Sequence, residues 1–488
     1  MSAHHWIQTA PWLVLAGYAV LVWWATPRRV TPGQFFQGQS ASGMPPGVLL
    51  LGVSGAISWV MAKSVDNAMN LAADFGIWGG IGYAAYWLSF ITAGIAIYFL
   101  RTRGGHRSLP GFLVDRYGRF AAKCFLLVIA IRLFNEVWSN TKVTSQFFGP
   151  EGSPEYWIAA AAVTAFTLFY SWRGGLRSSL TTDGMQMLLL GLLLAVVLWT
   201  LGPGLVHAGI PRVANGGVTQ AMQSAGLTFF ALAMVQTLSY PFHDPVLTDR
   251  AFISPPKSML RGFVLAGILG GGLILLYSIA GLYALSAGTG VKPSVSVAVP
   301  QTIGLWMLLV FSAVMLTSAG STLDSTFASS AKFAARDWRD RRDEPDAAQV
   351  RAGRWIMLAI ALLGNLPLLS LYIKGIGPAV IAATTISGTA VMGLAPIFLM
   401  AWMRGAGKLS FHLAFWPGIV LGVLLVLESF LDLALFPSWI QIGSGRFAKT
   451  LGINAFGLIV CTAGYVAGAL YEQFSSAAQL LHRKQATH

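Results

Sequence analysis

Apolar runs of about twenty residues recur along almost the whole chain, and each is long enough to cross roughly 30 Å of hydrocarbon. Bounded by polar breaks, thirteen such runs fall near residues 8–26, 46–75, 78–100, 120–147, 155–172, 178–201, 224–249, 260–287, 303–335, 354–374, 377–403, 412–435 and 450–474. Short and long members both occur, so some spans are expected to be tilted or broken. Composition agrees: of 488 residues 55% are hydrophobic and only 10% charged, with a mean hydropathy of +0.64. A soluble protein of this length needs more charge to cover its surface. The expected fold class is an all-α polytopic membrane protein of about thirteen transmembrane helices.

The net charge of +14 would suit a nucleic-acid partner, but its distribution does not. With the N-terminus outside, the alternating inner loops collect Arg28 and Arg29, the run Arg101 to Arg119, Arg173 and Arg177, and Arg250, Lys257 and Arg261. Further inner cations lie between Lys332 and Arg354, at Arg404 and Lys408, and at Arg483 and Lys484; the outer loops hold only Arg212, Lys292, Lys374, Arg446 and Lys449. This is the positive-inside pattern, so no nucleic acid is expected and lipid is. The first run, "PWLVLAGYAVLVWWAT", has its charges after it, which marks a retained helix rather than a signal peptide. Cys124 and Cys461 both lie in apolar runs and imply no disulfide framework. No soluble domain, nucleotide motif or metal motif is present, and of eight His only His243 falls in the interior of a span, His412 standing at the edge of another.

Ionisable groups within spans are costly and mark pathways or sites. Span two, "GVSGAISWVMAKSVDNAMNLAADFG", carries Lys63, Asp66 and Asn67; Lys63 and Asp66 stand at i, i+3, as a self-neutralising pair or as a substrate or ion site. In span four Arg132 and Glu136, at i, i+4, are expected to neutralise one another. In span six Asp183 lies about a turn in, beside Thr181 and Thr182, and either caps a helix or faces a cation. Span seven, "FFALAMVQTLSYPFHDPVLTDRAF", loses backbone donors at Pro241 and Pro245 and should be interrupted there, beside Tyr240, His243 and Asp244. In span nine Ser318, Ser321, Ser325 and Ser329 share one face, flanked by Thr322 and Asp324. Small hydroxyls also serve close helix packing, but packing does not account for the acid, which tilts this face toward a cation site.

Several stretches resemble the sodium/solute symporter family, whose members carry proline, pantothenate, sugars and urea: "RTRGGHRSLPGFLVDRYGR", "GGLRSSLTTDGMQ", "DPVLTDRAF", "GSTLDSTFASSAKFAARD" and "GLAPIFLMAWMRGAGKLSFHLAFWPGIVLG". The resemblance runs from about residue 46 onward and implies a LeuT-type core of two inverted five-helix repeats, spans two to six and seven to eleven. Such folds place their sites at broken helices near the midplane. By resemblance Ser321 and Thr322, with backbone carbonyls near Ile57 and Val60, form a sodium site, and Asp183 with Asp324 and Ser325 resembles a second cation position of some members. Asp324 departs there from the commoner hydroxyl. At the positions that shape the site in proline symporters stand Trp59, Thr237 and Pro241, which speaks against proline.

The expectation is Na⁺-coupled import of a small polar organic solute by alternating access, with Trp59, Lys63, Asn67, Tyr240 and His243 lining the solute site. Na⁺ is the coupling ion, no organic cofactor is expected, and the location is the cell's inner (plasma) membrane. The organisation is an extra helix and loop over 1–45, repeats over 46–202 and 203–408, and two helices with a cytoplasmic tail over 409–488. A rival keeps the fold but couples protons through His243 beside Asp244, or through Lys63. A non-transporting sensor would need an output domain, and only about a dozen residues follow the last span. An enzyme is not expected, since no nucleophile–base or metal constellation appears.

Overall fold

A computed structural model describes residues 3–208, 218–369, 372, 387–431 and 433–485. Among them the chain is helical throughout, without strands. Before the first core helix come α1 (Ala3–Ala25) and the short α2 (Pro32–Gln37), the latter opened by a Thr31–Gln34 capping box. Next are α3 (Val48–Trp59), α4 (Ala62–Phe75), α5 (Ile77–Ala84), α6 (Leu88–Thr102), α7 (Leu109–Tyr117), α8 (Arg119–Ser145) and α9 (Pro154–Ala208). Then come α10 (Gln220–Gln236), α11 (Pro245–Arg250), α12 (Pro256–Tyr277), α13 (Ile279–Ala287), α14 (Val295–Ile303), α15 (Leu305–Ala335) and α16 (Ala347–Leu363). Two long helices, Lys408–Leu431 and Ala448–Gln485, pack on one another near the C-terminus.

Among the described residues seven helices are long and apolar enough to cross a bilayer, and the bent pair α3–α4 makes an eighth. The thirteen apolar runs exceed that number for identifiable reasons. α9 counts once, although Gly175 (φ 53, ψ −137) breaks it into two helices, as runs five and six require. Only Gly tolerates that backbone, and a Cβ there would also meet the Phe35 carbonyl oxygen at 2.5 Å. α8 carries five charged residues, α10 ends after seventeen, and the apolar part of α1 is short. Residues 377–386 of the run 377–403, and the outer-loop cations Arg212 and Lys374, lie outside the described residues. Several long apolar helices make this a multi-pass membrane protein.

α15 is the central column, packed on α9, α8, α16 and α1. Its residues from Met315 to Ala328 are all buried, which explains how it carries so many hydroxyls without exposing them to lipid. Ser312, Thr322, Thr326 and Ser330 each return a hydrogen bond to a carbonyl one turn back, such as Thr326 Oγ1 to Thr322 O at 2.8 Å and Ser330 Oγ to Thr326 O at 2.7 Å. α1 lies close against this column. The Tyr18 hydroxyl sits where a Cβ on Gly320 would be, 1.9 Å from that position, and accepts from Gln186 Nε2 at 2.6 Å. Around the column, α12 runs along α3 and α6, α13 packs on α4, and α11 touches both α3 and α15.

Candidate functional site

Two helices are interrupted at depth. The first break separates α3 from α4, which are bent by 62°. Val60 leaves the helical region (φ −77, ψ 64) and closes the last turn of α3 on the Ala56 carbonyl at 2.9 Å. Backbone bonding resumes when Ser64 and Val65 donate to the Met61 carbonyl. The carbonyls from Ile57 to Val60 are those a continuous helix would have engaged. The second break follows α10: a short turn over Tyr240–His243 leads to Asp244, which caps α11 through its side chain, with Pro245 at the first helical position. Pro241 and Pro245 thus interrupt span seven as their missing donors predict.

α15 meets the first break. Thr322 Oγ1 is 3.3 Å from the Ser58 carbonyl and 2.9 Å from that of Ser318. Ser321 Oγ donates to Asp183 Oδ1 at 2.6 Å. The hydroxyls of Ser318 and Thr317 are buried and without a partner, an arrangement that hydrogen-bonding economy disfavours unless another group uses the oxygen. Ser318 is visible in the sequence as a member of the serine face, but its unpartnered state depends on which helix lies opposite.

Asp183, Asp324 and Ser325 come together around a cation that the chain itself supplies. Arg250, placed in an inner loop by the charge pattern, is wholly buried instead. Because Pro245 restarts the helix, the last turn of α11 carries Arg250 inward rather than out to the surface. Its Nη2 donates to Ser58 Oγ at 2.7 Å and Ser325 Oγ at 2.8 Å, and lies 3.3 Å from both Ser179 Oγ and Asp183 Oδ2. Its Nε donates to Ser54 Oγ at 2.8 Å, which in turn donates to Asp183 Oδ2, and Nη1 donates to the Val246 carbonyl. Asp183 sits within α9 rather than at its start, so it caps no helix. Asp324 accepts from Tyr170 at 3.0 Å, Thr182 at 3.1 Å and Ser325 at 3.2 Å.

On the other side of the same break lies a cavity of about 820 Å³. Trp59 and Met61, which flank the break, are in its wall, as are the expected residues Lys63, Asn67 and Tyr240. His243 is not. Its ring stands edge-on to Tyr240, and Nδ1, 2.6 Å from the Tyr240 carbonyl, must carry the proton, since a carbonyl only accepts.

The charges pair differently from their spacing. Lys63 donates to Glu136 Oε1 and Asn135 Oδ1, both at 2.9 Å, and not to Asp66. Arg132 forms the expected i, i+4 pair with Glu136 and adds Asp244, at 2.8 Å. Asp66 instead accepts from Ser296 Oγ at 2.5 Å and Asn70 Nδ2 at 3.0 Å. Sequence reasoning missed the aromatic wall of Tyr83 and Tyr86 and the amide of Gln236, which accepts from Tyr86; aromatic residues in a span carry no sign of which face is lined by a cavity.

No protein-family model matches the chain, and no curated protein does. Solved structures do. A Na⁺-coupled sialic acid symporter, captured substrate-bound and outward-open, matches with a TM-score of 0.68 at 14% identity, over 94% of this chain and 98% of that one. A manganese transporter of Eremococcus coleocola, in complex with an aromatic bis-isothiourea substituted compound, matches with a TM-score of 0.51 at 10% identity, over 88% and 94%. Identities this low establish the fold alone, one shared with a Na⁺-coupled symporter and a manganese transporter.

Proposed function

We propose that the protein is a secondary active transporter that couples the entry of Na⁺ to that of a small polar organic solute by alternating access. One observation carries this reading. The interruption between α3 and α4 has the Thr322 hydroxyl of α15 against its backbone, with the unpartnered Ser318 one turn back on that helix, and beside it the wall of an aromatic-lined cavity. An ion held at that break and a solute held in the cavity would therefore share one hinge, which is the physical requirement for coupling.

In this reading Ile57 and Val60 offer carbonyls, and Ser318, Ser321 and Thr322 offer hydroxyls, to a dehydrated Na⁺. Trp59, Lys63, Asn67 and Tyr240 contact the solute, and His243 supports Tyr240 from behind. The core comprises two inverted repeats over 46–202 and 203–408, within thirteen spans that begin outside and end inside the cell's inner membrane. Each Na⁺ that enters contributes about 2.3 kcal/mol per 100 mV of membrane potential, before its concentration gradient is added.

The test uses the purified chain in detergent. Na⁺ at a hundredfold excess over its Kd should stabilise it by about 2.7 kcal/mol relative to choline. Ser321→Ala with Thr322→Ala should remove that difference, and solutes from a library of amines, acids, sugars and ureides should stabilise the unmodified chain more in Na⁺ than in choline. Equal melting in Na⁺ and choline, with every solute, would rule the reading out.

A further inference from the structure

We infer that the Arg250 guanidinium is a tethered cation that fills the second of the two ion positions, so that the protein binds one Na⁺ where its oxygen ligands alone would hold two. The inference deepens the transport reading above and rests on it for the first ion only.

The geometry is specific. Around Arg250 Nη2 converge Ser58, Ser179 and Ser325 hydroxyls and the Asp183 carboxylate, at 2.7 to 3.3 Å. These come from α3, α9 and α15, so the guanidinium sits at the junction of three helices, wholly buried. Hydroxyls and one carboxylate are what a hard monovalent cation recruits. Here an always-charged group on α11 has taken the place, supplied through a chain of hydrogen bonds that a metal ion would not need.

Charge bounds the count. Asp183 and Asp324 are both wholly buried, and Arg250 is the cation bonded to this cluster among the described residues. The neighbouring buried cations are already matched, Lys63 and Arg132 by Glu136 and Asp244. Lys332 bridges Asp249 and Asp337 nearer the surface. Two carboxyl groups against one guanidinium leave one acid that a low-dielectric interior holds either protonated or matched by a further cation. With both acids ionised, one Na⁺ at the α3–α4 break completes the balance: Thr322 meets that break, and its neighbour Ser321 donates to Asp183. A second would reopen it with the opposite sign.

Equilibrium binding of radioactive sodium to the purified full-length chain tests this, using the metal alone. The expected result is one Na⁺ per unmodified chain and two per Arg250→Ala chain, with the titration steepening accordingly. Adding Asp183→Asn to Arg250→Ala should return the count to one, since the attracting acid is gone. Should the unmodified chain bind none while Arg250→Ala gains one, the tethered-cation inference stands and Na⁺ coupling falls. Two ions on the unmodified chain, or the same count with and without Arg250, overturns the inference. If Arg250→Ala does not yield monodisperse protein, Arg250→Gln keeps hydrogen-bond donors at the site and is read by the same counts, and two ions on the unmodified chain is decisive alone.

Discussion

Glu136→Leu is expected to lower stability by about 3–5 kcal/mol, the cost of breaking a buried ion pair from one side. Glu136 is the shared acceptor of Lys63 and Arg132, is 1% exposed, and takes a further bond from Asn140 Nδ2 at 3.1 Å. Its removal leaves two cations facing Asp244 alone, inside the protein. Leu fills the volume and so isolates the electrostatic loss from any cavity. The effect is read as a lower melting temperature and midpoint of denaturation. A second substitution separates charge from packing: Lys63→Met added to Glu136→Leu leaves the Arg132–Asp244 pair balanced and should recover much of the loss. If Glu136→Leu melts with the unmodified protein, the network does not hold these helices together.

Gly281→Leu should be comparably severe by a steric route. α13 approaches α4 so closely that a Cβ at 281 would lie 2.0 Å from the Met69 carbonyl oxygen and 2.8 Å from Ala72 Cβ. Backbone cannot rotate away as a side-chain end can, so the helices must separate. Overpacking of this kind costs about 1–3 kcal/mol or more, in a setting where close packing of small residues is itself the driving force. Because α4 brings Lys63, Asp66 and Asn67 to the cavity wall, the damage should extend beyond melting to loss of any Na⁺-dependent stabilisation by solute. Gly272, where an added Cβ would meet nothing within 4 Å, is the control, and Gly272→Leu should behave as the unmodified chain.

The architecture was legible because hydropathy acts locally: a run of twenty apolar residues declares a span without reference to its neighbours. The interruptions were legible for a similar reason, since Pro241 and Pro245 remove donors wherever they are put. The polar constellation was legible as a set of residues and not as a set of pairs. Lys63 and Asp66 at i, i+3 looked self-sufficient, yet each found its partner on another helix, Glu136 on α8 and Ser296 on α14. Arg250 shows the limit most clearly. Counting cations by loop treats any Arg near a span end as solvated, and one turn of helix after Pro245 is enough to reverse that. Nothing in the residue order says that α9 and α15 stand across from it.

The seating of Tyr18 against Gly320 has a mechanical corollary. With the phenol occupying the space of a missing methyl and tied to Gln186, α15 has no freedom to slide past α1 or α9 without a collision. Such seating favours movement of the column and its two flanks as one plank. Under the proposed alternating access, the displacement that opens the cavity to each side in turn would be absorbed where backbone ladders are already cut, at residues 60–61 and 237–244.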